Sequence, residues 1–206
     1  MRERPILFNT EMVQAILDGR KTCTRRVVKG YIPKDAEFGY TAFTPKGAIS
    51  CRGIFETNYP GYGEKFFKLP YHRGDILYVR ETWCSAYDGE KFFYLADKLT
   101  NREERLLLNY DDVKWHPSIH MPKGAARIWL KVTNVKVEQL QEMDWKDALG
   151  EGIDPRLCVK LSHSLAKFKR VWDSTIKKSD IDTYGWDANP YVWVIEFERC
   201  EKPGKE

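Results

Sequence analysis

Between Arg127 and Glu138 the apolar residues keep a two-residue period and then change phase. Ile128, Leu130 and Val132 share one face of an extended chain, whereas Val135 and Val137 fall on the other. Side chains alternate faces along a strand, so one strand keeps both groups on a common face only by accommodating an extra residue near Asn134. Such a bulge bends and twists the strand, as curved sheets and small barrels require. A second long strand, Tyr191 to Arg199, opens at Asn189-Pro190 and is apolar enough to lie centrally in the same sheet.

Helical spacing appears elsewhere. Met12, Val13, Ile16 and Leu17 recur behind Thr10, read as the N-cap, and Gly19 supplies a left-handed stop. Asp144 caps a short helix through Leu149, which Gly150-Glu151-Gly152 ends. Leu161, Leu165, Phe168, Trp172 and Ile176 form the core stripe of a longer amphipathic helix. Ile76 to Trp83 reads as a strand ending in charge, and Asp88-Gly89 joins Trp83–Tyr87 to Lys91–Tyr94 as a hairpin. Residues 97–112 read as a solvated connection or short helix. Strands thus outnumber helices, with one helix before the first strand and two between the later ones. The class is α+β, built on a curved sheet or small barrel.

A chain of 206 residues fits one domain. Gly30 to Arg73 lacks helical periodicity and is rich in glycine, proline and aromatics, so it reads as an insertion at about 30–73. One hairpin fits it, with Tyr40–Phe43 and Ala48–Ile54 flanking Thr44-Pro45-Lys46-Gly47. A charged fraction of 31% and a mean hydropathy of −0.57, with no apolar run near the roughly 18 residues of a membrane span, exclude membrane insertion. The charged start has no secretory apolar stretch, and a cytoplasmic location is expected. Five cysteines (Cys23, Cys51, Cys84, Cys158, Cys200) without a Cys-x-x-Cys read as reduced thiols. His116 and His120 are spaced like helical metal ligands, but Pro117 and Pro122 oppose a helix there, so neither a metal nor a cofactor is expected.

The chemistry concentrates in Gly19-Arg20-Lys21-Thr22-Cys23-Thr24-Arg25-Arg26, which sets a lysine, two hydroxyls and three arginines directly behind the helix stop. If the chain then runs extended, Thr22, Thr24 and Arg26 share a face. Residues 1–29 hold seven cations against three anions, an excess equal to the net charge of +4 for the whole chain. A basic patch on an otherwise neutral protein suits an anionic ligand such as RNA. Lys65-Phe66-Phe67-Lys68 and Tyr71-His72-Arg73 interleave aromatics with cations, a composition that serves base stacking and equally serves anchoring on a core.

Taken in order, several segments resemble the ASCH-domain proteins, a branch of the PUA-like superfamily, and are most similar to its longer phage and prophage members. They are Pro5-Ile6-Leu7-Phe8, Gly19-x-Lys21-Thr22-x-Thr24-x-Arg26, Gly74-Asp75-Ile76-Leu77-Tyr78-Val79-Arg80-Glu81-Thr82-Trp83, Ser118-Ile119-His120-Met121-Pro122, Ala148-Leu149-Gly150-Glu151-Gly152-Ile153 and Trp186-Asp187-Ala188-Asn189-Pro190-Tyr191-Val192-Trp193-Val194. The resemblance implies a PUA-like small β-barrel with flanking helices around a cleft for RNA or a modified nucleoside. Some small members are amidohydrolases that deacetylate N(4)-acetylcytidine with a lysine, a threonine and a glutamate. By motif these fall on Lys21, Thr24 and Glu151. Other relatives are reported as ribonucleases.

That chemistry is sound on its own terms. A threonine hydroxyl needs a base, and a desolvated lysine can serve as one. Glu151 would orient Lys21 or pass a proton to the leaving amine. Thr22, Arg25, Arg26, Arg80 and Glu81 are the remaining candidate contacts to ligand or RNA, Glu81 being also a candidate internal ion-pair partner. Arg25 adds a charge where small members often carry an apolar residue, which favours a phosphorylated ligand. The alternatives are a non-catalytic RNA-binding module, a ribonuclease, or a phage accessory protein that contacts a host protein.

Overall fold

The computed structural model describes residues 2–30, 32, 37–41, 52–56, 65–86, 91–97 and 114–204. Among them the strands run β1 (Glu3–Leu7), β2 (Cys23–Val27), β3 (Glu37–Thr41), β4 (Arg52–Glu56), β5 (Lys65–Lys68), β6 (Ile76–Arg80), β7 (Trp83–Ala86), β8 (Lys91–Tyr94), β9 (Trp129–Gln139) and β10 (Tyr191–Cys200). The α-helices are α1 (Thr10–Leu17), α2 (Trp145–Gly150), α3 (His163–Thr175) and α4 (Ile181–Tyr184). The architecture is mixed α and β. Its centre is a five-stranded sheet of order β1-β6-β9-β10-β2, in which β1 and β6 run parallel and the other pairs antiparallel.

The phase change in β9 is a bulge. Glu196 faces Asn134 and Phe197 faces Val132, so Thr133 is the extra residue, and Val132 and Val135 both enter the same core. The described strands close no barrel. Curvature nevertheless brings the two edge strands together, since Arg26 on β2 donates from Nη2 to the Leu7 carbonyl on β1 at 3.1 Å.

The sheet separates two apolar layers. On one face Phe8, Ile195 and Phe197 pack with Val13 and Ile16 of α1. On the other, Cys23, Val192 and Val194 pack with Ala148 of α2 and with Phe168 and Trp172 of α3. Burying a side chain such as Phe168 contributes roughly 1.5–3 kcal/mol, so the second layer fixes α2 and α3 firmly on the sheet. No helix among the described residues is long and apolar enough to cross a membrane.

Several elements differ from the pattern read in the sequence. A strand, β1, precedes the first helix. Its charged start and Pro5 hide it, and Pro5 is tolerated because β1 is an edge strand. Asn9, not Thr10, caps α1, its Oδ1 accepting from the Met12 N–H at 2.8 Å. The run from Ile76 to Trp83 breaks after Arg80, where Glu81 turns into the interior, and Trp83 starts a new strand. Leu161 lies ahead of α3 and is 48% exposed. In the insertion β3 and β4 pair antiparallel, overlapping the strands expected there only at 40–41 and 52–54, and β5 adds a third strand. Its turn at 44–47, the turn at 88–89 and nearly all of 97–112 lie outside the described residues.

Candidate functional site

The site forms where the C-terminal ends of α1 and α2 touch. Gly19 takes φ +73°, and the N–H groups of Arg20 and Lys21 both donate to Ala15 O, which ends α1 and turns the chain toward β2. In α2 the Asp144 side chain accepts from Lys146 N and Asp147 N while Asp147 accepts from Asp144 N, a reciprocal cap that fixes where the helix starts. Glu151 is its C-cap, followed by Gly152 at φ +102°. A Cβ on Gly152 would lie 2.8 Å from Ala15 Cβ and 3.2 Å from Lys21 Cβ, so only glycine permits this approach. Thr22 lies in the junction, its N–H on Gly150 O and its own carbonyl accepting from Phe197 N.

Lys21 and Glu151 meet there. Lys21 Nζ donates to Glu151 Oε2 at 2.7 Å and to the Glu151 carbonyl at 2.8 Å, and lies 5.4 Å from the centre of the Phe8 ring. The Lys21 side chain is 0% exposed and that of Glu151 4%. The second carboxylate oxygen of Glu151 accepts from Arg25 Nη1 at 3.4 Å. Because β2 is the edge strand, Glu151 reaches round it: it holds Arg25, which shares a face with Cys23, and Lys21, which lies over Phe8 in the opposite layer.

Arg25 is saturated by carboxylates. Its Nε and Nη2 bond Glu138 Oε1 at 2.9 and 2.6 Å, and Asp147 lies 3.5 Å away. Burial opposes its charge, but Glu151 and Glu138 outweigh that cost and leave its pKa above the ordinary arginine value. With a fully buried side chain, Arg25 is not placed to receive a phosphate. It braces Glu151 instead.

Thr24 is buried opposite Ile195, on the face of β2 that carries Arg26. Arg26 is half-buried, 5.7 Å from the Phe8 ring centre, so the cations of Lys21 and Arg26 both approach that ring. Burial pulls the Arg26 guanidinium below its ordinary value, against the charges of Glu151 and Tyr71. Beside Arg25, burial and Glu151 push the Cys23 thiol up to about 12, which makes it an inert core residue rather than a nucleophile.

Arg80 and Glu81 have other partners. Arg80 donates to Met121 O at 2.8 Å and to Ile119 O, latching the turn at Ser118–His120 against β6. Glu81, 1% exposed, receives Arg127 on both oxygens at 3.0 and 3.1 Å, and Arg127 bridges onward to Asp97. Burial pushes the Glu81 carboxyl up and Arg127 draws it back. His116 lies against Trp83, with ring centres 5.1 Å apart. No group of three or more His, Cys, Asp or Glu among the described residues is arranged to hold a metal ion.

Sequence reasoning missed Glu138, Phe8 and Gly152 as parts of this site. Gly152 carried a local signal, its place just beyond a helix end. Glu138 carried none, since nothing in β9 marks which buried cation it faces from 113 positions away. No family model, no curated protein and no solved structure matches this chain.

Proposed function

We propose that this chain is a PUA-like protein of the ASCH type whose cleft takes a modified nucleoside or the RNA that carries it, and that Lys21, Thr24 and Glu151 hydrolyse an amide there, with N(4)-acetylcytidine as the model substrate. The observation that carries the reading is the buried contact of 2.7 Å between Lys21 and Glu151 beside a strand bearing Thr24. The near approach of the edge strands β1 and β2 supports a barrel-like sheet.

Both bonds made by Lys21 Nζ go to acceptors on Glu151. The pair rests as an ion pair; once Lys21 gives up one proton, its two remaining N–H groups keep the bonds to Glu151 and the freed lone pair is the group that takes the Thr24 hydroxyl proton. Thr24 Oγ1 then attacks the acetyl carbonyl, the C–N bond breaks, and the proton on Lys21 passes to the leaving cytosine amine. Water, deprotonated in turn by Lys21, cleaves the acetyl ester and returns Thr24 with release of acetate. Arg26 has spare donors for the oxyanion, whereas those of Arg25 are committed to carboxylates.

The closure of the pair favours a second reading. With Lys21 shut from solvent, the network serves equally as the brace of a non-catalytic RNA-binding module. The test is release of cytidine from N(4)-acetylcytidine by the wild type, Lys21→Ala and Thr24→Ala. Turnover by the wild type, lost in both variants while circular dichroism stays native, supports hydrolysis. Absence of wild-type turnover with retained RNA binding establishes the binding module.

A further inference from the structure

Lys21 and Thr24 lie against the apolar layer that α1 shares with Phe8, Ile195 and Phe197, and neither is open to solvent. The Lys21 side chain is 0% exposed and Thr24 1%. A substrate meets them only if part of that layer's boundary moves. Besides the sheet, α1 and the end of the insertion wall the layer. The close approach of Gly152 to Ala15 wedges α1 in place. At the end of the insertion Leu69 is buried in the layer, and Phe67 and Tyr71 pack against it.

This segment links the two edges of the sheet. On the β2 side the Phe67 ring lies 3.4 Å from where a Cβ on Gly30 would stand. On the β1 side Tyr71 Oη donates to Pro5 O at 2.9 Å, Arg4 Nη1 donates to Pro70 O at 2.5 Å, and Arg4 lies 6.0 Å from the Tyr71 ring centre. Flanking β1, Arg2 O and Phe8 N bond β6, so the even-numbered residues turn their backbone groups to β6 and the odd-numbered ones to the free edge. Side chains cap the outward carbonyls there, Tyr71 taking that of Pro5 and Arg26 that of Leu7. Tyr71 therefore stands beside Arg26, one two-residue step from Thr24 on the same face of β2. Burial pushes the Tyr71 phenol up, and the charges of Arg26 and Arg4 draw it back.

Glycines in the left-handed region bracket the insertion, Gly30 at φ +121° and Gly74 at φ +87°. Such positions absorb the backbone change of a hinge, and the Cβ position of Gly74 faces open space. Resting on the proposed placement of the chemistry at Lys21 and Thr24, we infer that the segment Phe67–Tyr71 is a lid over that site, that it lifts about Gly30 and Gly74, and that substrate enters between the edges β1 and β2. Lifting it breaks the Tyr71–Pro5 and Arg4–Pro70 bonds and leaves the Lys21–Glu151 pair and the junction of α1 with α2 intact. The closed pair is then the resting state of the site.

The experiment follows reductive methylation of Lys21 by formaldehyde and cyanoborohydride, read by peptide mass spectrometry, in the wild type, Tyr71→Phe and Arg4→Gln. It is run across urea concentrations below the unfolding transition, with Lys136, whose side chain is 45% exposed, as the internal control. Each variant removes one bond that fastens the lid and should speed methylation of Lys21 about five-fold while Lys136 is unchanged. In the wild type the Lys21 rate should depend on urea far less steeply than global unfolding does, because a lifting lid exposes little surface. If neither variant changes the Lys21 rate, or if that rate follows the slope of global unfolding, the lid is wrong. Release of cytidine from N(4)-acetylcytidine by the same proteins separates the two readings. Faster methylation in the variants with turnover in none of the proteins keeps the lid and removes hydrolysis, whereas wild-type turnover with Lys21 methylation unaffected keeps hydrolysis and removes the lid.

Discussion

Lys21 Nζ lies 2.7 Å from a Glu151 carboxylate oxygen although 130 positions separate the two residues, and both side chains are closed to solvent. A contact of this kind weighs more when broken than when formed. Two charges lose their hydration to make it, but removing one partner leaves the other buried and unpaired.

Glu151→Ala should therefore destabilise the fold by about 3–5 kcal/mol, because it strips Lys21 of its carboxylate and Arg25 of one of its partners. Glu151→Gln keeps an acceptor in place and should cost less. Urea unfolding measures both, and an alanine variant within about 0.5 kcal/mol of wild type would show that the pair is not formed in solution.

Gly152 gives a steric prediction with an internal control. Gly152→Ala forces a side chain into φ +102° and sets its Cβ 2.8 Å from Ala15, adding overpacking of about 1–3 kcal/mol to backbone strain of about 1–2 kcal/mol. Gly74→Ala meets the same strain at φ +87° but open space beyond it, so only the strain should appear. Thermal unfolding that ranks the two alike would contradict the close approach of α1 and α2.

These contacts also mark where the sequence stops being informative. Asp144 and Gly19 act within a few residues of themselves, and their roles as helix cap and stop are legible from local spacing. So is the bulge at Thr133, because the apolar phase on either side of Asn134 records it. Partner choice is different. Arg25 in the sequence suggests a ligand contact, yet it ends among Glu138, Glu151 and Asp147, a choice made by the pairing of β2, β10 and β9 and by where α2 docks. The resemblance put Lys21 and Glu151 in one site without indicating that the edge of β2 would run between Glu151's two cations.

Glu81 yields a pH dependence. Burial raises its carboxyl above the ordinary 4.5, partly offset by Arg127, so the folded protein binds this proton more tightly than the unfolded chain does. Its contribution to stability is full below 4.5 and is lost as the pH rises from there through the folded value. Arg127→Gln removes the offset, so the Glu81 carboxyl should titrate higher still and the loss of stability toward neutral pH should deepen. Carboxyl carbon NMR follows the titration directly, and a Glu81 midpoint that falls in Arg127→Gln would refute the pairing.

Arg25 and Arg26 are adjacent in sequence and should behave as opposites. The Arg25 side chain has no exposed surface and three carboxylate neighbours, so its loss is a stability effect. Arg25→Lys cannot reproduce the Nε and Nη2 contacts to Glu138 together with the Nη1 contact to Glu151, and a cost of about 2–3 kcal/mol in urea unfolding is expected. On the proposed RNA reading this variant should leave the salt slope of binding unchanged, because the Arg25 side chain is closed off among carboxylates. On the same reading Arg26→Gln should do the reverse, costing less stability than Arg25→Lys because one bond to the Leu7 carbonyl is at stake, while lowering the slope by about 0.7. A lowered slope in Arg25→Lys would mean that this guanidinium meets phosphate after all, and that the carboxylate cluster opens when RNA binds.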